Sequence, residues 1–248
     1  FSKNEYTHIR KTFNPLSKIS QAKNIGFLEK SSNGYLIKRG SWQVLRPIVL
    51  EGNLIIEPGT ELAFDSSAYL IVKGNIIAKG TDKDPIVFKP MIETWKGLYV
   101  IEGKEQSYLE NVVIEKASEL SDGLLELTGS TTFYKSPVTI KYTIFRGNKS
   151  EDALNLVDSN FLLSNVIISD TFSDGLDCDF SDGKIEFSKF KNISGDAVDS
   201  SGSQIEITDI EVNNVRDKAV SVGENSTLTI KESFFSNVGV GIASKDGS

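Results

Sequence analysis

Three aspartates crowd the stretch SDGLDCDF, where Asp174, Asp177 and Asp179 surround the pair Gly175-Leu176. The same spacing returns around Ala197-Val198 as Asp196 and Asp199, and around Ala153-Leu154 as Asp152 and Asn155. Carboxylates at this density have three chemistries open to them. They can ligate a hard cation such as calcium, which takes about six to eight oxygens. They can work in pairs on a glycosidic bond, one as acid and the other as nucleophile or base. They can also hold the hydroxyl groups of a sugar without turning it over. The candidate ligand-binding set is Asn155, Asp174, Asp177, Asp196 and Asp199. Asp177, Asp199 and Asp174 are the candidate catalytic carboxylates, and Asp177, Asp199 and Asp179 the candidate metal ligands. The balance of these readings favours binding without turnover.

Other chemistries are bounded by what is scarce. A single histidine, His8, and a single cysteine, Cys178, leave no ligand set for a zinc hydrolase and no disulfide framework. No apolar run approaches the roughly 18 residues of a membrane span. There is no phosphate-cradling loop ahead of a helix and no basic, aromatic groove for nucleic acid. Residues 151–199 hold 11 Asp/Glu against Lys184, Lys189 and Lys191, so acidity is concentrated where the spaced aspartates lie.

The elements that position these aspartates follow from the repeat. Ala153-Leu154, Gly175-Leu176, Ala197-Val198, Ala219-Val220 and Gly241-Ile242 recur at a constant step of 22 residues. Gly97-Leu98 and Gly123-Leu124 extend the series upstream with steps of 26 and 30. The extra residues are assigned to loops such as STTFYKSP, with Phe133 and Tyr134 as exposed candidates for a sugar platform. Each unit carries short runs with period-two alternation, as in KIEFSKF and QIEITDIEV, and no helical stretch. Short strands joined by tight corners make one coil, and stacking sets equivalent residues about 4.8 Å apart. One coil cannot bury its apolar side, whereas a stack buries a continuous column. The expectation is therefore an all-β, single-stranded right-handed parallel β-helix of about 22 residues per coil.

In that register the residue after each pair gives Tyr99, Leu125, Asn155, Asp177, Asp199 and Ser221, and the residue before gives Asp122, Asp152, Asp174, Asp196 and Lys218. Both columns are expected to face solvent as an acidic ladder, with alternation turning Cys178 inward. Ile168, Phe190, Val212 and Phe234 read as a core column. Asn148, Asp170, Asn192, Asn214 and Ser236 read as a structural ladder at a corner, because Asn and Asp tolerate left-handed backbone and bond to their own main chain. Residues 1–35 lack the rung pattern and are read as an N-terminal cap, with Leu16, Ile19, Phe27 and Leu28 covering the end of a β-helix over residues 36–248. Trp42 and Trp95 are placed at coil junctions.

The strings IIEPGTELAF, LIVKGNIIAKGTDKDPIVF and WKGLYV resemble the first coils of bacterial right-handed parallel β-helices of the pectate-lyase-like superfamily. The stretch from SEDALNLVDSNFLLSNVIISDTFSDGLDCDFSDGKI through GIASKDGS resembles a subgroup whose β-helix stands beside a spore-coat-type kinase-like domain. The resemblance implies a secreted or cell-surface module that binds polysaccharide, with calcium as a candidate cofactor. It also admits a polysaccharide lyase or glycosidase, and an interaction module for a kinase-like partner. A lyase of this kind would need a basic residue to remove a proton, and Arg146, Lys184, Lys218 and Arg216 are the candidates.

Overall fold

The computed structural model describes residues 26–123, 125–245 and 247–248. Most of the expected cap segment, including Leu16 and Ile19, lies outside the described residues. These residues form a parallel β-solenoid of about 10 turns, as the repeat predicts. Each full coil lays down three strands on three faces. On the first face Ile48–Glu51, Leu70–Lys73, Leu98–Ile101, Thr131–Tyr134, Asp152–Val157, Asp174–Asp179 and Val198–Ser201 pair in parallel, each with the next. The second face is a 10-stranded sheet ending at Thr227–Lys231. The third face, running from Gly40–Val44 to Lys189–Ile193, joins the first through the long strand Glu211–Val222.

Two antiparallel pairs depart from this plan among the described residues. Leu28–Ser31 folds back on Gly34–Ile37 and starts the second face, so the expected boundary at residue 35 falls inside a strand. Phe27 stacks on Trp42 with ring centroids 5.8 Å apart. The second antiparallel pair is a hairpin, Leu120–Asp122 with Leu125–Leu127, that stands off the first face. It corrects the expected register. Gly123 and Leu125 belong to this insertion, Leu124 is outside the described residues, and the coil's own strand is Thr131–Tyr134. Phe133 and Tyr134, expected on an exposed loop, are 0% and 2% exposed. The reason is packing: Phe133 takes the inward position between Val100 and Leu156 in the stack.

The interior is built from columns of that kind. Leu50, Val72, Val100, Phe133, Leu156, Cys178, Ser200 and Val222 stack one per coil. Cys178 faces inward as expected, and burial pushes its thiol well above the ordinary range. The column Phe145, Ile168, Phe190, Val212 closes on Phe235, not Phe234, which is 65% exposed. One added residue between Val222 and Thr227 lengthens that coil step to 23 on the third face.

The same arithmetic corrects the corner ladder. Asp170, Asn192 and Asn214 sit at φ near +57°, and their side chains link across coils at 2.8 and 2.9 Å. Asn148 and Ser236 are each one residue out of register: the equivalent left-handed positions are Gly147 and Asn237. Asn148 is instead buried and donates to Ser150.

A ladder that was not anticipated runs inside the next corner. Ser136, Ser159, Ser181, Ser203 and Ser226 are all buried. Each hydroxyl accepts from the N–H of the preceding rung, with Ser136 to Ser159 at 2.9 Å, Ser159 to Ser181 and Ser181 to Ser203 at 3.0 Å, and Ser203 to Ser226 at 3.2 Å. Corner N–H groups point into the interior here, where water cannot serve them, and serine is the smallest side chain that can both accept there and donate onward. Ser181→Ala should therefore leave the Ser159 N–H buried and unpaired. The expected loss is about 1–3 kcal/mol in a urea unfolding curve, with an unchanged slope.

Candidate functional site

On the outer side of the first face the column after each small–apolar pair is Tyr99, Thr132, Asn155, Asp177, Asp199 and Ser221. Thr132 replaces the expected Leu125, because the hairpin consumes the intervening residues. The first coils of this face carry Val49, Ile71 and Tyr99 outward, and such an apolar exterior needs a cover. The hairpin supplies it through Leu120, Leu125 and Leu127, which pack with Tyr69, Ile101, Tyr134 and Val157. Tyr69 fastens it by donating its hydroxyl to Asp122 Oδ2 at 2.9 Å, and burial with that carboxylate pushes the phenol's pKa up.

Where the hairpin ends, a cleft of about 660 Å³ opens along the coil stack. Thr132, Asn155, Asp177 and Asp199 form its floor, Glu126 to Gly129 one wall, and Phe180, Glu224 and Lys245 the other. Asn155, Asp174, Asp177 and Asp199 of the expected ligand set line it, with Asp179 beside them. Asp196 does not. It is 6% exposed, it accepts from the Lys218 N–H at 2.9 Å, and Lys218 Nζ lies 3.2 Å from it. Asp174 likewise takes the Asp196 N–H at 2.8 Å, so this second column works as corner scaffolding handed from coil to coil.

The floor is less exposed than an outward ladder implies. Asp152 and Asn155 are 4% and 7% exposed, and the Asn155 amide donates to Asp152 Oδ2 at 3.2 Å and Asp177 Oδ2 at 3.0 Å. Burial raises Asp152 to about 8, helped by the charges of Glu151 and Asp174. Burial raises Asp174 to about 6, against the pull of the Asp196 N–H. Asp177 is held well above the usual carboxylate range by burial first and by Asp152 next. All three shifts run upward, which suits these carboxyls to donate a proton rather than to take one.

Among the described residues no three acidic, histidine or cysteine side chains converge on a point a metal ion could occupy. Between Asp152 and Asp177 stands the Asn155 side-chain amide. Of the candidate bases, Arg146 is paired with Glu115 on the third face and Lys184 with Glu206 on the second, both away from the cleft. Lys218 is tied to Asp196 and Asp217, and Arg216 is exposed beyond the third face.

One residue of the site escaped the sequence reading. Phe180 is 45% exposed at the cleft wall, in a left-handed conformation (φ 49°) that a bulky residue seldom adopts. Its ring lies against Gly202, where an added Cβ would come within 2.6 Å of it. The signal was Gly202 itself, 22 residues on: the corner column runs Gly52, Gly74, Glu102, Lys135, Asp158 and Phe180 before it, so a glycine returns directly beneath the phenylalanine ring.

The family described as pectate lyase matches residues 103–242, more than half of the chain and all of the cleft floor. No curated protein matches. Among solved structures, one provisionally titled a glycosyl hydrolase from Parabacteroides merdae shares 11% identity over 77% of this chain and 83% of that one, with a TM-score of 0.29. HetL, a pentapeptide repeat protein involved in heterocyst differentiation regulation in Nostoc, shares 7% over 82% and 86%, at 0.28. A mannuronic acid specific polysaccharide lyase of family 6 from human gut microbiota shares 12% over 82% and 72%, at 0.17.

Proposed function

Because this chain belongs to the pectate lyase family, we propose that it binds a polysaccharide laid along the first-face cleft, without turning it over. The observation that carries this reading is the floor itself, where Thr132, Asn155, Asp177 and Asp199 offer one polar group per coil in an unbroken line. A polymer with repeating hydroxyls meets such a line once per coil, and Phe180 offers a ring face beside it. Binding is favoured over elimination because, among the described residues, no arginine and only one lysine, Lys245, line the cleft, which supplies little to remove a proton beside a carboxylate. The resemblance in sequence adds an extracellular or cell-surface setting and a kinase-like neighbouring domain to the proposal.

A second reading rests on the raised carboxyls of the floor. With Asp152 protonated at neutral pH and Asp199 beside Asp177, the floor could supply an acid and a base for hydrolysis. A glycan panel scored for binding, for unsaturated ends and for reducing ends separates the two. Binding is expected with neither new end appearing, and Phe180→Ala is expected to weaken it about tenfold. Calcium is expected to leave both the affinity and the thermal midpoint unchanged. New reducing ends lost in Asp152→Asn would establish the hydrolase instead.

A further inference from the structure

We propose that the cleft takes the end of a glycan chain, or a free oligosaccharide of about four sugars, and shuts out the interior of a polymer. The inference rests on the polysaccharide reading of the same cleft and adds which part of the chain is read. Upstream of the floor, the outward positions of the first face are Val49, Ile71 and Tyr99, in register with Thr132. They are exposed by only 4%, 0% and 0%, because the hairpin lies over them. Downstream, the next outward position after Asp199 is Ser221, and it is fully buried as well. Between these closed ends the floor runs from Thr132 to Asp199, three coil steps or about 14 Å, which seats about three or four sugars. A chain interior must continue past both ends of its site, and here the hairpin stands across the line.

A second, independent feature stands at the hairpin end of this basin. Thr132 lines the cleft there, is 8% exposed, and its hydroxyl has no hydrogen-bond partner. Buried hydroxyls are nearly always paired, so this one is set for a group that arrives with the ligand. Gly129 keeps the space beside it open: an added Cβ would come within 2.8 Å of the Thr132 hydroxyl and 2.7 Å of the Asn155 Cβ. The chemistry of a chain end suits that space. Inside a chain the linking oxygens are ethers, which accept a hydrogen bond and cannot donate one. The terminal sugar carries a free hydroxyl where the next link would be, and a hydroxyl does both. Thr132 is therefore the residue that reads the end, and the hairpin is the stop against which the end is placed.

Calorimetric titration with galacturonate oligomers and xylose oligomers of about two to eight sugars, and with the parent polymer of each, tests the proposal. In the series that binds, affinity is expected to rise up to about four sugars and then to level. Counted per sugar, the polymer is expected to bind at least about tenfold weaker than the tetramer, because only its ends enter. Thr132→Val should weaken the tetramer about tenfold, and Thr132→Ser should bind as the parent does. The same Thr132→Val should leave the urea midpoint unchanged or higher, since the hydroxyl it removes has no partner within the protein. Affinity still climbing beyond about six sugars, or a polymer as tight per sugar as the tetramer, would overturn the closed cleft and leave the polysaccharide site standing. Unchanged binding in Thr132→Val, or a loss of binding matched by a loss of stability, would overturn the reading of the end by Thr132. If no oligomer or polymer binds, the polysaccharide reading itself fails.

Discussion

Stability is expected to fall as pH rises from about 5 to about 8, the reverse of the acid sensitivity usual for an acidic protein. Asp152 and Asp174, at about 8 and about 6, and Asp177, also raised, hold protons in the fold that they release near 3.8 when unfolded. Between the unfolded and folded values the native state therefore binds more protons, and stability drops with rising pH. Their contribution is complete below the ordinary carboxylate range and is lost as pH climbs through 6 and then 8. Each unit of upward shift is worth about 1.4 kcal/mol, so the group together moves stability by several kcal/mol. The exposed ion pairs on the other faces contribute little to this slope, because solvent screens them. Urea midpoints across the window should show the decline. Asp152→Asn should raise the midpoint at about pH 8 and flatten the profile, since its amide oxygen can still accept from Asn155 while carrying no charge. A midpoint that is flat or rises with pH would mean that the floor carboxylates ionise at no cost.

Trp95→Ala is expected to be the most damaging single change. Trp95 is fully buried, lies 4.0 Å from the Phe64 ring and 6.3 Å from that of Phe88, and donates its indole N–H to the Glu115 carbonyl at 2.9 Å. These rings fill the interior where two successive coils stack, Phe64 on one and Phe88 with Trp95 on the next, so the cavity opens in the middle of a stack. Removing a buried tryptophan costs about 3–5 kcal/mol, and the orphaned carbonyl adds to that. Against a total stability of about 5–15 kcal/mol this is a third of the fold or more. Trp95→Phe keeps a stacked ring and should cost less than half as much. Chemical unfolding followed by far-ultraviolet dichroism reads both, and equal losses in the two variants would show that the hydrogen bond, not the ring stack, is what matters.

The architecture was legible because a stacked coil must repeat its inward residues at its own length. Ala153-Leu154 through Gly241-Ile242 report that length directly, and the pairs Asn155–Asp177 and Asp177–Asp199 stand in the expected register. Errors arose wherever the chain leaves the coil and returns. The hairpin at 120–127 carries its own Gly and leucines, so it imitated a rung and hid Thr131–Tyr134 behind it. One-residue differences at corners moved Asn148 and Ser236 off the left-handed ladder and Phe234 out of the core. The serine ladder obeys the period as well as any aspartate does, but serine is common in turns, and its meaning appears only when corner N–H groups are seen to point inward. The burial of Asp152 and Asp196 was illegible for another reason. It depends on the hairpin and Lys218, which reach them from other parts of the chain.

The corners carry a consequence for how such a molecule changes over generations. Strand registers hold while surplus residues leave between strands, as the one-residue additions before Thr227 and the whole hairpin at 120–127 do. An insertion or deletion is therefore tolerated at a bend and disruptive within a strand. A duplicated coil needs no adjustment anywhere else, since it brings its own ladder serine, its own left-handed asparagine and its own floor residue. Unequal recombination between neighbouring repeats would lengthen the axis by about 4.8 Å at a time and add one contact position to the cleft. Ligand length is then a heritable trait that moves in whole steps, while the chemistry at each step remains free to drift by point mutation.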